Sequence, residues 1–315
     1  MMPKNRYALL TVDTAALPKR AEADHVTRLI WGEHDKGTAG VREMCAIGNE
    51  FGAKHVFFVD MCGAYERREE IRQVMAWLHR DGQDVELHVH PEYLPNSFWA
   101  AAKFTIRPRF LNQYTDSLKE EFLLSHFAGE VTAVTGRKVL AFRAGSFRWN
   151  ATTLRTMKKL GIRLSFNNTT AAMIIGQNPY SIASNKPFQW SNGIIEVPIT
   201  EKNILPRFGK ELWARFQYPL SGFVKYRPCW ASFLPYSVSR RDGFLVCLIH
   251  SWSLLYWDDK GHGVYRDDAR IEGYRKLVRQ LGRDYDIITS QELLELCEAG
   301  KIPLSHTEDI SNAEI

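Results

Sequence analysis

Short apolar runs alternate with helical patterns along much of this chain. The strand-like runs are rich in β-branched and aromatic residues and are bounded by turn residues; they cover residues 7–13, 55–60, 85–90, 139–145, 163–168, 194–199, 244–250 and 285–289. The helical patterns cover roughly residues 40–51, 66–80, 117–134, 151–160, 268–281 and 290–299. Strands that alternate with helices in this way predict an α/β fold with a parallel sheet.

The length of 315 residues suits one large barrel. We predict a distorted (β/α) barrel of about seven parallel strands, as a single domain over residues 1–300, followed by a flexible C-terminal tail over residues 301–315. Residues 201–241 break the alternation and are rich in aromatic residues, proline and basic residues. This insertion either packs on the barrel or supplies a lid or a sugar-stacking surface at the site.

Charge and cysteine content narrow the function classes. Lys and Arg total 41 against 36 Asp and Glu, with no long run of one sign, so nothing argues for nucleic acid. The slight basic excess would suit an anionic substrate, although a solvated basic surface explains it more simply. The five cysteines form no paired motif, and neither a secretory signal nor a membrane-spanning segment is evident. We expect a cytoplasmic protein, of an oligomeric state that the sequence does not indicate.

Ionisable residues collect where the predicted strands end. They are Asp13, Asp60, His88, His90, Arg143 and His250. In a β/α barrel the carboxyl ends of the strands meet on one face, so these side chains should converge there. Within residues 85–90 the side chains alternate, which places Glu86, His88 and His90 on the face opposite the apolar residues. The two imidazoles are either core histidines or, with a carboxylate from a neighbouring strand, ligands of zinc or another divalent ion.

Four segments resemble motifs of the polysaccharide deacetylases of the chitooligosaccharide-deacetylase type. They are residues 10–13 (LTVD), 82–91 (GQDVELHVHP), 142–145 (FRAG) and 248–251 (LIHS), and they occur in the order of that family over most of the chain. The resemblance implies that Asp13 is the catalytic base, that Arg143 orients it and that His250 is the general acid. It also implies that His88 and His90 bind the metal.

The resemblance has two departures, both at the metal ligands. The family has a second Asp, a metal ligand, where this chain has Thr14, and its second His stands where this chain has Glu92. Asp60 or Asp13 could supply the missing carboxylate, and Glu92 could act in place of His90. We predict Asp60, His88 and His90 as the ligand set, and the resemblance implies zinc as the metal. The alternative for Asp60 is that it caps the turn at residues 61–63.

The resemblance implies a metal-dependent hydrolase that removes an N-acyl group from an amino sugar of a surface-polysaccharide precursor or related glycan. The acyl group that we expect is N-acetyl. The expected partner is therefore a carbohydrate or a nucleotide sugar. Aromatic residues near the strand ends could stack on a pyranose ring, namely Phe147, Trp149, Trp252 and Tyr256. Two alternatives stay open: a deformylase or other amide hydrolase on the same barrel, and a metal-free carbohydrate-binding relative without activity.

Overall fold

The computed structural model describes residues 5–21, 24–105, 108–203, 213–219 and 243–315. Its strands in chain order are β1 (Tyr7–Thr14), β2 (Glu33–His34), β3 (Gly37–Thr38), β4 (His55–Asp60), β5 (Asp84–Val89), β6 (Ala141–Ala144), β7 (Leu164–Ser165), β8 (Phe188–Trp190), β9 (Ile195–Glu196), β10 (Glu201–Asn203), β11 (Trp213–Arg215), β12 (Phe244–His250), β13 (Leu255–Trp257), β14 (Gly263–Arg266), β15 (Asp286–Ile287) and β16 (Thr307–Glu308).

One mostly parallel sheet dominates the fold. Seven of its strands run parallel in the order β12-β1-β4-β5-β6-β7-β9; β15 adds to β1, and β8 pairs antiparallel with β9. Three antiparallel pairs, β2-β3, β10-β11 and β13-β14, lie outside this sheet. The predicted α/β class, with about seven parallel strands in a distorted barrel, is confirmed.

The α-helices of the described residues are Val41–Glu50, Arg68–Arg80, Asn96–Ala101, Ser117–Thr135, Ala151–Leu160, Thr170–Ile174, Asp268–Asp284 and Ser290–Glu298. Local sequence sets their ends. Asn150 accepts hydrogen bonds from the backbone N–H groups of Thr152 and Thr153 and so begins the helix Ala151–Leu160. Gly161, with a φ of 76°, ends it in a left-handed turn. None of the helices described is both apolar enough and long enough to cross a membrane.

Side chains of the parallel strands alternate between two apolar layers. On β1, Leu10 and Val12 join the cluster that packs against the helices, whereas Leu9 joins a second cluster together with Val56, Phe58 and Val246. This second cluster also contains Leu293 from the helix Ser290–Glu298. The inward positions change from apolar to polar toward the carboxyl ends of the strands, so the polar site lies at that end.

Backbone hydrogen bonds draw the two sides of the sheet together. Thr200, which follows β9, donates its N–H to the Val246 carbonyl on β12 at 3.3 Å. Farther along β12, Leu248 donates to the Phe216 carbonyl at 2.9 Å, and Tyr218 donates to the Leu248 carbonyl at 2.8 Å. The residues around 216–218 therefore lie beside the strand that carries His250.

The C-terminal segment differs from the flexible tail that we expected. Thr307 and Glu308 form β16, which pairs with β8, and Ala313 is fully buried. This pairing joins residues more than a hundred positions apart, so the local sequence pattern does not predict it. Of the insertion expected at 201–241, the structure describes residues 201–203 and 213–219. The rest lies outside the described residues, and so do Tyr226, Trp230, Phe233 and Tyr236.

Candidate active site at the carboxyl ends of the strands

A small cavity of about 230 Å³ opens where the parallel strands end. Four of the six predicted site residues line it, namely Asp13, His88, His90 and His250. The strand register explains why they meet. Asp13 pairs with His250 across β1 and β12, and His88 pairs with Arg143 across β5 and β6. Residues distant in sequence therefore reach the same level of the barrel.

Asp13 and Arg143 form a buried ion pair behind the cavity. Arg143 Nη1 lies 2.5 Å from Asp13 Oδ1, and the two side chains are 0% and 7% exposed. Arg143 Nη2 also donates to Thr11 Oγ1 at 2.9 Å, and its Nε donates to the Phe166 carbonyl at 3.3 Å. Burial alone would raise the pKa of Asp13, but the charge of Arg143, helped by His88 and His250, lowers it to about 2. Asp13 is therefore ionised at neutral pH.

The second carboxylate oxygen of Asp13 faces two imidazoles. Asp13 Oδ2 lies 4.0 Å from His88 Nε2 and 3.9 Å from His250 Nε2. Burial lowers the pKa of His250 to about 4, and it also lowers the pKa of His88. Both imidazoles are therefore neutral near pH 7. For His250 this pKa lies below the ordinary value of about 6.5 that suits a general acid at neutral pH, because burial disfavours the charged ring.

His88 and His90 lie side by side, each with one ring nitrogen already engaged. Their ring centroids are 4.7 Å apart at an interplanar angle of 87°. His88 Nδ1 lies 2.7 Å from the Arg143 carbonyl, and His90 Nδ1 lies 2.9 Å from Glu92 Oε1. Both acceptors place a proton on Nδ1, and the neutral His88 ring keeps the lone pair of its Nε2. Burial alone would lower the pKa of His90, but the Glu92 carboxylate raises it, so Nε2 of His90 must lose a proton before it can bind a metal ion. Metal-binding histidines commonly have such a partner on their second nitrogen.

Glu86 shares the inward face of β5 with His88, and His90 follows directly after the strand; the Glu86 side chain is bonded one layer deeper. Its carboxylate accepts hydrogen bonds from Ala141 N at 2.9 Å and from Ser290 Oγ at 2.8 Å. Burial, then the neighbouring Asp84 carboxyl, raises the pKa of Glu86 to about 8. Glu86 thus links β5 to β6 and to the helix Ser290–Glu298 below the cavity.

Asp60 stands apart from the cavity, and its carboxylate is bonded to the backbone. Oδ1 accepts from His90 N at 2.9 Å and from Cys62 N at 3.2 Å, and Oδ2 accepts from Gly63 N at 3.0 Å. These bonds cap the turn after β4 and tie it to the residue that follows β5. This arrangement favours the turn-capping alternative, and a role for Asp60 as a metal ligand stays a prediction.

The donors at the cavity fit a metal ion in part. The Nε2 atoms of His88 and, once it is deprotonated, of His90 suit zinc, and Asp13 Oδ2 is a carboxylate oxygen 4.0 Å from His88 Nε2. Among the residues that the structure describes, however, no group of three or more His, Cys, Asp or Glu side chains is arranged to hold a metal ion. The imidazoles fit, whereas a carboxylate ligand is not in place.

The backbone after β6 approaches His90 closely. A Cβ at Gly145 would lie 2.5 Å from His90 Nδ1 and 2.7 Å from the Val89 carbonyl, so only glycine fits without displacement. The next two residues, Ser146 and Phe147, both have a φ of 54°, which non-glycine residues rarely adopt. Both line the cavity. This turn therefore positions the cavity wall at some cost in backbone strain.

Several cavity residues could not be found from sequence periodicity, because they come from loops, from 3-10 helices of three residues or from the three-residue strand β11. They are Lys19, Arg20, Tyr93, Gln177, Arg215 and Gln217. Two of the four aromatic candidates, Phe147 and Trp252, line the cavity. Trp149 is fully buried, and Tyr256 instead stacks on Tyr265 with ring centroids 4.6 Å apart.

No protein-family model matches the sequence, and none of the curated proteins does. The fold, in contrast, recurs in solved structures. A candidate polysaccharide deacetylase from Mycobacterium smegmatis matches with a TM-score of 0.57 and 15% identity, over 96% of this chain and 94% of that one. The chain has the fold of a polysaccharide deacetylase.

Two further solved structures show how widely this fold is used. A candidate glycoside hydrolase/deacetylase from Parabacteroides distasonis has a TM-score of 0.52 at 11% identity, over 97% of this chain and 70% of that chain. A 4-alpha-glucanotransferase from Thermococcus litoralis has a TM-score of 0.55 at 11% identity, over 96% of this chain and 39% of that chain. Since these names include different reactions, the fold alone does not set the chemistry.

Proposed function

We propose that the protein is a hydrolase that removes an N-acyl group from an amino sugar, and that this group is N-acetyl. The observation that carries this proposal is the position of Asp13. One of its oxygens is held by the buried Arg143, and the other faces His88 and His250 at the cavity. An ionised, oriented carboxylate beside a neutral imidazole can manage the proton transfers that amide hydrolysis needs.

In the proposed reaction, water adds to the acyl carbon and the C–N bond breaks. The oxygen of the water stays on the acyl carbon, which leaves as a carboxylic acid, and the sugar nitrogen gains a proton and leaves as an amine. Asp13 Oδ2 orients the water and accepts its proton. His250 is neutral in the free protein. The proton that Asp13 takes from the water passes to His250 Nε2, which lies 3.9 Å from Asp13 Oδ2, and from there to the departing nitrogen, so both groups return to their starting state. Arg143 keeps Asp13 oriented and ionised.

The metal-dependent form of the proposal rests on His88 and His90. These imidazoles would hold a divalent ion, zinc being the one that best suits neutral nitrogen donors. Such an ion, when bound, polarises the acyl carbonyl and makes the attacking water more acidic. Metal content of the purified protein, compared between wild type and His88→Ala, tests this part without any substrate.

The experiment for the reaction is a panel of N-acetyl and N-formyl amino sugars, oligosaccharides and nucleotide sugars, with released amine as the signal. We expect amine from at least one N-acetyl compound and a loss of at least a hundredfold in Asp13→Asn. Asp259→Asn, an exposed position, is the matched control and should keep the wild-type rate. Preference for the formyl compounds would make the protein a deformylase.

Two results would overturn the proposal. The first is an absence of amine from every compound, with zinc and other divalent ions supplied. The second is full activity in a folded Asp13→Asn variant, as judged by circular dichroism. Binding of a glycan without any turnover would leave the carbohydrate-binding alternative in its place.

A further inference from the structure

The cavity wall carries an excess of positive charge. Lys19, Arg20 and Arg215 line it, whereas Asp13 is its one acidic lining residue among the described part of the chain. Asp13 is already neutralised by Arg143, which lies behind it. A ligand in this cavity therefore meets Lys19 and Arg20, whose charge no lining carboxylate balances, and Arg215, whose Nε is paired with Glu201 outside the lining. Such a field favours an anionic ligand over a neutral one.

Arg215 is fixed in place by neighbouring residues. Its Nε donates to Thr169 Oγ1 at 3.0 Å and to Glu201 Oε1 at 3.2 Å, and the Glu201 carboxylate is buried. Its guanidinium group also lies 4.8 Å from the centre of the Phe147 ring. The terminal amino groups of Arg215 form no hydrogen bond with the described residues. Two such amino groups can donate in parallel, the arrangement that matches a carboxylate or a phosphate.

Arg20 lies on the cavity wall with part of its guanidinium group removed from water. Its Nε is buried and has no hydrogen-bond partner among the residues that the structure describes. Its guanidinium carbon lies 5.6 Å from the Trp257 ring centre. A buried donor on a cation is costly to leave unsatisfied, which a fully solvated surface arginine would not be. An anionic ligand would supply the missing acceptor.

We propose that the amino-sugar substrate carries an anionic group, a carboxylate or a phosphate, and that Arg20 and Arg215 bind it. This inference rests on the proposed function and names the substrate class for the same site. Lys19, on the same wall, contributes charge but is exposed and holds its ammonium group 5.9 Å from the Tyr93 ring centre. The two arginines are therefore the residues that determine specificity.

The test is calorimetric binding of matched ligands to the full chain. N-acetylglucosamine is the neutral probe, N-acetylglucosamine 1-phosphate carries the phosphate, and N-acetylmuramic acid carries the carboxylate. We expect at least one anionic probe to bind tenfold or more tightly than the neutral one, and its affinity to fall with added salt. Whichever of the two binds more tightly identifies the anionic group.

Variants assign the effect to the two arginines. Arg20→Gln and Arg215→Gln should each weaken binding of the anionic probe at least tenfold and change binding of the neutral probe less than twofold. Arg148→Gln is the matched control, because Arg148 lies over the Phe110 ring and does not line the cavity. If a Gln variant fails to fold, the corresponding Lys variant keeps the charge and should lose the affinity only in part.

The inference is overturned if neutral and anionic probes bind equally, if none binds, or if the Gln variants weaken both kinds of probe alike. Its failure is distinguishable from failure of the proposed function. Release of amine from neutral sugars without preference for anionic ones would refute the inference and keep the hydrolase. Arginine-dependent binding of the anionic probe without any turnover would refute the hydrolase.

Discussion

Removal of Arg143 should leave a buried, uncompensated charge at the centre of the site. In Arg143→Met the ionised Asp13, only 7% exposed, keeps two neutral imidazoles at 3.9 and 4.0 Å as neighbours. Breaking a buried ion pair from one side typically costs about 3–5 kcal/mol. The shift of the Asp13 pKa gives an independent figure. It falls from 3.8 to about 2, and at about 1.4 kcal/mol per pKa unit this favours the ionised form by about 2–3 kcal/mol.

The sign of the pH dependence should reverse in this variant. In the wild type the Asp13 pKa is depressed, so its stabilising contribution is present above pH 3.8 and is lost as the pH falls through about 2. Without Arg143, burial raises the pKa of Asp13 above its unfolded value. The variant then loses stability as the pH rises above the pKa that Asp13 has in the unfolded chain. The difference in free energy of unfolding between wild type and variant is therefore larger at pH 7 than at pH 4.

Urea denaturation at pH 7 and pH 4, with a chelator present to exclude bound metal, measures these differences. The double variant Asp13→Asn/Arg143→Met should regain at least about 2 kcal/mol of the loss seen in Arg143→Met, since the unpaired charge is gone. Thr11→Val, combined with Arg143→Met in place of Asp13→Asn, is the control. It removes a neutral acceptor of Arg143, so the coupling should be only about 0.5–1.5 kcal/mol. Equal deficits at both pH values, with no recovery in the double variant, would refute this reasoning.

Three further predictions follow from single residues. His250→Ala should lower kcat for amine release by about 10²–10⁴-fold while zinc content, measured by elemental analysis, stays at the wild-type level. If Asp60 caps the turn, as its bonds to backbone N–H groups favour, Asp60→Asn should lower the free energy of unfolding by about 1–3 kcal/mol and leave zinc content unchanged. Loss of zinc would show instead that Asp60 is a ligand. Burial raises the pKa of Glu120 to about 8, so wild-type stability falls as the pH rises from its unfolded pKa toward 8. Glu120→Gln should therefore stabilise the protein at pH 7 by up to about 3 kcal/mol, measured by thermal denaturation, and flatten this slope; an unchanged slope would place the titration elsewhere.

Sequence periodicity predicted those parts of the site that the pleat of a strand dictates. His88 and His90 had to share a face because side chains alternate along β5, and the barrel class placed them beside Asp13 and His250 at the strand ends. The parallel order of the strands follows from the same alternation of strands and helices. These features need only local pattern and the known handedness of β/α connections.

Other parts of the site depend on contacts that no local pattern records. Asp60 ends a strand as Asp13 does, yet the turn after β4 presents backbone N–H groups that engage its carboxylate. Arg20 ends a short 3-10 helix and Arg215 ends the short strand β11, and only the folded chain brings them to one cavity. The low pKa of His250 likewise arises from burial, which depends on residues of several elements.

The close approach at Gly145 gives a way to recognise distant relatives that keep this arrangement. Any side chain at that position would collide with the His90 ring and with the Val89 carbonyl, so Gly145 cannot change while His90 keeps its place. A sequence with glycine at the position of Gly145 and histidine at the position of His90 can retain the paired imidazoles. A sequence with alanine or a larger residue in place of Gly145 must hold the histidine elsewhere. This pair of positions, fifty-five residues apart in the chain, therefore makes a sharper signature of the site than either histidine motif alone.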